Sequence, residues 1–208
     1  MSDPTAEVPS GEMQGRRFSG ADWYAEELDD VVLRDCVLVD VDLTEATTHG
    51  ATFERCRFER CRLNASTHTG TSFIACDLAH TSFFDATLDG CRFLGSVFTQ
   101  CTLRPLTVTG GSWQGVTMRA ATLAKLRLDD LDLTDADLAM SDLSGTSLRR
   151  ARLDGASLHQ ANLTQADLRG ASLVGADLSG AGLAGARMDV AGAVAVAEQA
   201  GVVVDLTE

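Results

Sequence analysis

Six cysteines and four histidines are the residues of this 208-residue chain with the most chemistry to offer. Thiolates and imidazoles can hold a metal, exchange electrons or attack a carbonyl. Their spacing argues against all three. Cys36, Cys56, Cys61, Cys76, Cys91 and Cys101 differ in number only by multiples of five, and no CxxC pair occurs among them. His49, His68, His80 and His159 stand at unrelated places in the pattern described below, with no metal-ligand spacing and no glycine-rich phosphate loop. The expectation is a protein without catalysis, cofactor or metal.

The element that positions the cysteines is a repeat. From Phe18 to Met188 every fifth residue is large and apolar, apart from Thr48 and His68, and the register never slips over 35 positions. A second series two residues earlier holds small side chains, among them Ala21, Cys36, Ala51 and Ser66, with an alanine run from Ala151 to Ala186. All six cysteines fall in it, where chance would place one in five, so they read as small buried hydrophobes with free thiols. A period of five matches neither helix nor strand. A chain that turns a corner every five residues, sending one large and one small side chain inward, satisfies it. Four sides make a coil of 20 residues, and coils stacked at the strand spacing give a rod roughly 42 Å long. The fold class is therefore all-β, a quadrilateral β-helix. The corner residue, two after each large one, is often Gly, Asp or Arg.

Residues 20 apart share a column. Thr48 and His68 then stack and form one buried polar pocket. Leu33, Phe53, Phe73, Phe93 and Trp113 form an aromatic ladder in the core.

Net charge is −13, from 30 acidic and 17 basic residues. This argues against direct nucleic-acid binding. Residues 20–45 hold Asp22, Asp29, Asp30, Asp35, Asp40, Asp42 and Glu45, with Glu26 and Glu27, against Arg34 alone. Residues 129–142 hold Asp129, Asp130, Asp132, Asp135, Asp137 and Asp142 with no base. Between these patches Arg55, Arg57, Arg60 and Arg62 form a basic belt. No secretory signal and no apolar run of membrane-spanning length is visible, so a cytoplasmic protein without membrane contact is expected.

Residues 1–15 read as a disordered tail, 16–188 as the solenoid, and 189–208 as a cap and dimerisation segment. In the cap Asp189 should begin a helix that closes at Gly201, with a strand over Val202–Val204. Its apolar surplus predicts a homodimer through Met188, Val190, Val194, Val196, Val202 and Val204.

Ala161-Asn-Leu-Thr-Gln and Ala166-Asp-Leu-Arg-Gly show the A(D/N)LXX motif, and the chain resembles the pentapeptide-repeat family over about 171 residues. Residues 50–61, 94–108 and 186–201 resemble the fluoroquinolone-resistance members of that family. The resemblance implies a right-handed coil and a dimeric rod that mimics duplex DNA, binds DNA gyrase and protects it from quinolones or natural topoisomerase poisons. A structural or adaptor solenoid with another protein partner is the alternative. Residues 18–188 carry 23 acidic and 15 basic groups, a balance of −8, against about 25 charges on duplex DNA of that length. Shape and local acidity must then contribute more to mimicry than total charge.

Overall fold

A left-handed residue at every corner is what lets so short a period close on itself. The computed structural model describes residues 7–205. From Gly15 to Gly185 every fifth residue has φ between +50° and +75°, Pro105 excepted. Twenty of these corners are not glycine, and each such residue costs about 1–2 kcal/mol in that conformation. The bonds between coils must offset this strain.

The chain is a four-sided parallel β-solenoid ended by one short helix. Face 1 holds the strands Glu12–Gln14, Val32–Arg34, Thr52–Glu54 and Ser72–Ile74. Face 2 holds Arg17–Ser19, Val37–Val39, Arg57–Glu59, Asp77–Ala79 and Val97–Thr99. Face 4 holds Thr47–His49, Thr67–Thr69, Ala86–Asp89 and Leu106–Thr109. Partners are parallel and 20 residues apart, as in Leu33↔Phe53↔Phe73. Face 3, and every face beyond residue 109, continues as single parallel bridges with the same offset, from Asp22↔Asp42 to Asp167↔Arg187.

Two kinds of corner build the rod. Beyond residue 112 the N–H of the inward residue after each corner, Leu131 excepted, donates to the carbonyl of the large residue three before it, as Ala136 does to Leu133 at 3.1 Å and Ala161 to Leu158 at 2.9 Å. At the strand corners of the first half this bond is missing. A side chain from the next coil replaces it. Each of the six thiols donates to the carbonyl of the large residue 23 positions earlier, for example Cys56 to Leu33 and Cys76 to Phe53, both at 3.2 Å. Ser96 serves Phe73 in the same way at 2.9 Å. All six cysteines are free thiols. Burial pushes Cys61, Cys91 and Cys101 up to about 11. Reading them as core filler was correct about place and incomplete about role, because the small series also satisfies backbone acceptors.

The polar pocket forms as expected and its protons can be assigned. Ser66 Oγ must donate to the Leu63 carbonyl at 2.7 Å, so it accepts from His68 Nε2 at 2.9 Å. His68 Nδ1 is then an acceptor for Thr48 at 2.7 Å, and Thr48 accepts from Thr71 at 2.6 Å. Burial holds the imidazole neutral, with its pKa lowered to about 4. Beside it, Phe53, Phe73 and Phe93 stack with centroids 4.9 and 4.5 Å apart, and Trp113 meets Phe93 edge-on at 5.0 Å.

Both ends differ from expectation. Residues 1–6 lie outside the described residues, but 7–15 are no tail. Glu12–Gln14 pairs with Val32–Arg34, and Val8 and Met13 pack on the core. The five-residue register simply starts two units earlier than Phe18, and Gly15 supplies the first of its regular corners at φ +65°. At the other end a helix spans Val190–Gln199, N-capped by Asp189 through Gly192 N at 3.0 Å. Val202–Val204 forms no strand, since no ladder neighbour stands beside it among the described residues. The exposed edge of the last coil is closed by side chains instead. Gln199 Oε1 accepts from Leu178 N at 2.7 Å while its Nε2 donates to the Ala176 carbonyl, and Asp189 Oδ2 accepts from Gly170 N at 3.0 Å. These groups substitute for the next strand.

One level of the rod is discontinuous. On face 3 the ladder runs to Thr102 and resumes at Thr122, and on face 4 it runs to Leu106–Thr109 and resumes at Arg127. Faces 1 and 2 cross the same level intact, through Arg92↔Ser112↔Asp132 and Val97↔Thr117↔Asp137. Pro105 stands at the broken corner. It has no N–H and a fixed negative φ, so it can supply neither the left-handed corner nor the bond to the next coil. The peptide before it is cis.

Candidate protein-interaction surface

No group of His, Cys, Asp or Glu among the described residues could hold a metal ion, and the outward side chains and the two ends carry the polar chemistry of the surface. The four-sided geometry decides how those side chains are grouped.

The thirteen acidic residues expected to bind a partner do not share one face. Face 4 carries Asp29, Asp30, Asp129 and Asp130; face 3 carries Asp22, Asp42, Glu45 and Asp142; face 1 carries Asp35, Asp132 and Asp135; face 2 carries Asp40 and Asp137. They form two girdles, one around the first coils and one five coils on, about 24 Å away at the strand spacing.

The 20-residue offset also sets charges against each other. The basic belt lies one coil above the first girdle, so Arg55 pairs with Asp35 at 2.7 Å, Arg60 with Asp40 at 2.8 Å and Arg62 with Asp42 at 2.6 Å. Arg62, helped by Thr44, pulls Asp42 down to about 2. In the second girdle Arg150 pairs with Asp130 at 2.6 Å, Arg119 with Asp137 at 2.9 Å, Arg127 with Asp129 at 3.2 Å and Arg152 with Asp132 at 3.6 Å. Asp22, Asp30, Glu45, Asp135 and Asp142 have no ion pair among the described residues, and Asp29 faces only His49, at 2.7 Å. Asp142 instead caps the Ser144 N–H at 3.0 Å. The sequence could have shown this pairing: acid and Arg 20 residues apart is the signal, once the coil length is known.

The residues expected to form a dimer interface divide likewise. Met188 and Val196 pack against the core, Val194 lines a cleft of about 520 Å³ between the helix and the last rung of face 1, and Val204 is half-buried. Val190 and Val202 are exposed, and Val203, outside the expected set, is 93% exposed. The inward residues of the last coil, Leu183 and Ala186, are only partly covered. Gln199, which closes the ladder, carried no signal in the sequence because its role depends on where the helix lands.

A rod built from stacked five-residue units, with an apolar core and a charged exterior, defines a four-sided β-solenoid. The chain belongs to the pentapeptide-repeat family, whose description, Pentapeptide repeats (8 copies), matches residues 27–64, 69–104, 114–150 and 151–189. Among characterised proteins it is similar to the pentapeptide repeat protein MfpA of Mycobacterium tuberculosis (strain ATCC 25618 / H37Rv), with 44% identity over 46 residues. That match covers 22% of this chain and 25% of MfpA, so it spans about a quarter of the relative's length. Among solved structures, full-length QnrB1, a plasmid-mediated fluoroquinolone resistance protein, superposes with a TM-score of 0.63 at 19% identity, covering 92% of this chain and all of QnrB1. HetL, from the cyanobacterium Nostoc, covers 85% of this chain at 30% identity with a TM-score of 0.40. No helix among the described residues is long and apolar enough to cross a membrane.

Proposed function

We propose that this protein binds DNA gyrase in place of duplex DNA and thereby modulates it or protects it from quinolones or natural poisons. The observation that carries this reading is the rod with two acidic girdles about 24 Å apart, whose unpaired carboxylates (Asp22, Asp30, Glu45, Asp135 and Asp142) face outward. A surface that grips the phosphates of a duplex finds negative charge at intervals along a stiff cylinder. The likeness to MfpA and QnrB1 supports the same reading. A homodimer joined through the C-terminal helix would double the length of the cylinder, with the exposed Val190, Val202 and Val203 as its contact. The test is supercoiling by gyrase with the full chain added, with and without ciprofloxacin. A dose-dependent change in either arm supports the reading; unchanged supercoiling and unchanged drug-induced cleavage refute it. Val203→Asp should turn a dimer in light scattering into a monomer, and a native chain that is already monomeric removes the dimer from the proposal.

A second reading, an adaptor solenoid for another protein, is favoured by the ion pairs that neutralise seven of the thirteen acidic candidates. Affinity capture distinguishes the two, with topoisomerase subunits as the main catch only under the first.

A further inference from the structure

The broken level at Pro105 leaves an unpaired strand edge in the middle of the rod. In the neighbouring coils of face 4, the large residue and the corner residue donate their N–H groups forward to the next coil, as Leu128 does to Ser147 and Asp130 to Arg149. By the same pattern Val108 and Gly110 should donate to Arg127 and Asp129, and Leu106 should accept from Arg127 N. None of these bonds forms. Such groups almost always find a partner when shielded from water. Between the two lips lies a groove of about 740 Å³, with Thr107 and Val108 on one side and Lys125 and Arg127 on the other. That is within the range of ligand sites and holds a short stretch of extended chain.

The charge around this groove is opposite to that of the molecule. Arg104 and Lys125 flank Pro105 at its corner, and Arg149 lies one coil beyond Asp129, whose carboxylate takes its N–H. None of the three has an ion pair among the described residues. The two acids present are already matched: Asp129 by Arg127 at 3.2 Å and by the Arg149 N–H, Asp130 by Arg150 at 2.6 Å. Three cations without a direct ion pair therefore stand around two unpaired backbone donors, on a chain of net charge −13.

We propose that this groove binds an extended acidic peptide of a partner protein by strand addition. The peptide's carbonyls accept from Val108 and Gly110, its N–H donates to Leu106, and its carboxylates face Arg104, Lys125 and Arg149. Main-chain bonds give such a site its affinity and the flanking charges its preference. The site adjoins the second acidic girdle, whose Asp129 and Asp130 line it, and does not depend on gyrase being the partner.

The test uses the full chain and three fluorescein-labelled peptides in anisotropy titrations: alternating Glu and Val, alternating Lys and Val, and the Glu peptide with alternate valines replaced by proline. Saturable binding is expected for the first alone, weakened at least tenfold by the double variant Arg104→Glu/Lys125→Glu. Both substituted side chains are exposed, and circular dichroism checks that the variant keeps its fold. Amide exchange at Val108 and Gly110 should slow on binding. Equal binding of the proline peptide would reduce the site to nonspecific charge attraction and overturn strand addition. Displacement by inorganic phosphate at the concentration where phosphate itself binds would make it a simple anion site, also overturning the proposal. Unchanged affinity in the double variant, or no binding, would do the same.

Discussion

At strand corners of residues 12–109 such as Leu33, Phe53 and Phe73 the carbonyl of the inward large residue is met by a thiol or hydroxyl from the next coil; on face 3, as at Leu43 and Phe83, and through most of residues 113–187 it is met by an N–H three residues along the chain. The first arrangement keeps the sides extended, so all thirteen strands of the described residues lie before residue 110. The second tightens each corner into a hydrogen-bonded turn and leaves single bridges between coils. The small series leans the same way: all six cysteines lie in the first half, and an alanine run fills 151–186. The large series leans likewise, since all its phenylalanines lie in the first half, among leucines, and none in the second. One fold is thus reached by two local solutions, and the first depends on contacts between coils while the second is closed within a single unit.

Four measurements can break or sharpen that comparison. Phe73 touches Phe53, Phe58, His68 and Phe93, so Phe73→Ala should cost about 4 kcal/mol and Leu153→Ala about 3 kcal/mol. Because solenoids need not unfold in one step, hydrogen exchange resolved by coil is the appropriate probe. Loss of protection spreading over several coils is expected for Phe73 and a more local loss for Leu153; equal spread would erase the distinction.

Acid should act on the first half before the second. His68 titrates at about 4 when folded against 6.5 when unfolded. The unfolded chain binds the extra proton, so stability is fully present above pH 6.5 and falls by about 3 kcal/mol as the pH drops toward 4. Asp42 and Asp167, both lowered to about 2 by their arginine partners, lose their contributions only between the usual carboxylate range and pH 2. Urea midpoints that stay flat between pH 6.5 and 4 would show that the ring is not held neutral, and His68→Leu should abolish the slope.

Cys76→Ala removes the thiol donor to the Phe53 carbonyl and should cost about 1 kcal/mol, while Cys76→Ser, which keeps a donor, should cost less. Ala161→Ser, in the turn-sided half, should gain nothing, since the Leu158 carbonyl already has a partner. Identical effects at the two positions would contradict the assignment of roles. Smallest of all, Arg60→Ala removes an exposed pair with Asp40 and should leave the thermal midpoint unchanged. Its effect belongs in partner binding, where it frees Asp40.

The family resemblance and the spacing together made much of the molecule legible in advance. The five-residue period sets which side chains face inward, and the 20-residue coil places His68 on Thr48 and Phe73 on Phe53. Asp189 and Gly201 marked the limits of the helix. Other features were hidden. The ion pairs between Asp35 and Arg55 or Asp40 and Arg60 are 20 residues apart, invisible to a reading of local charge and so mistaken for two separate patches. The tail was misjudged because Val8 and Met13 were not counted as part of the series.

By itself the sequence determined the solenoid, its inert core and its apolar C-terminal end, because a strict period leaves few ways to bury one stripe of side chains. Only the tertiary structure decided that acids encircle the rod instead of lining one face, that Gln199 closes the last rung, and that Pro105 opens two faces while the other two stay bonded. Each of these depends on which groups lie one coil away, and that neighbour is set by closure in space rather than by order along the chain.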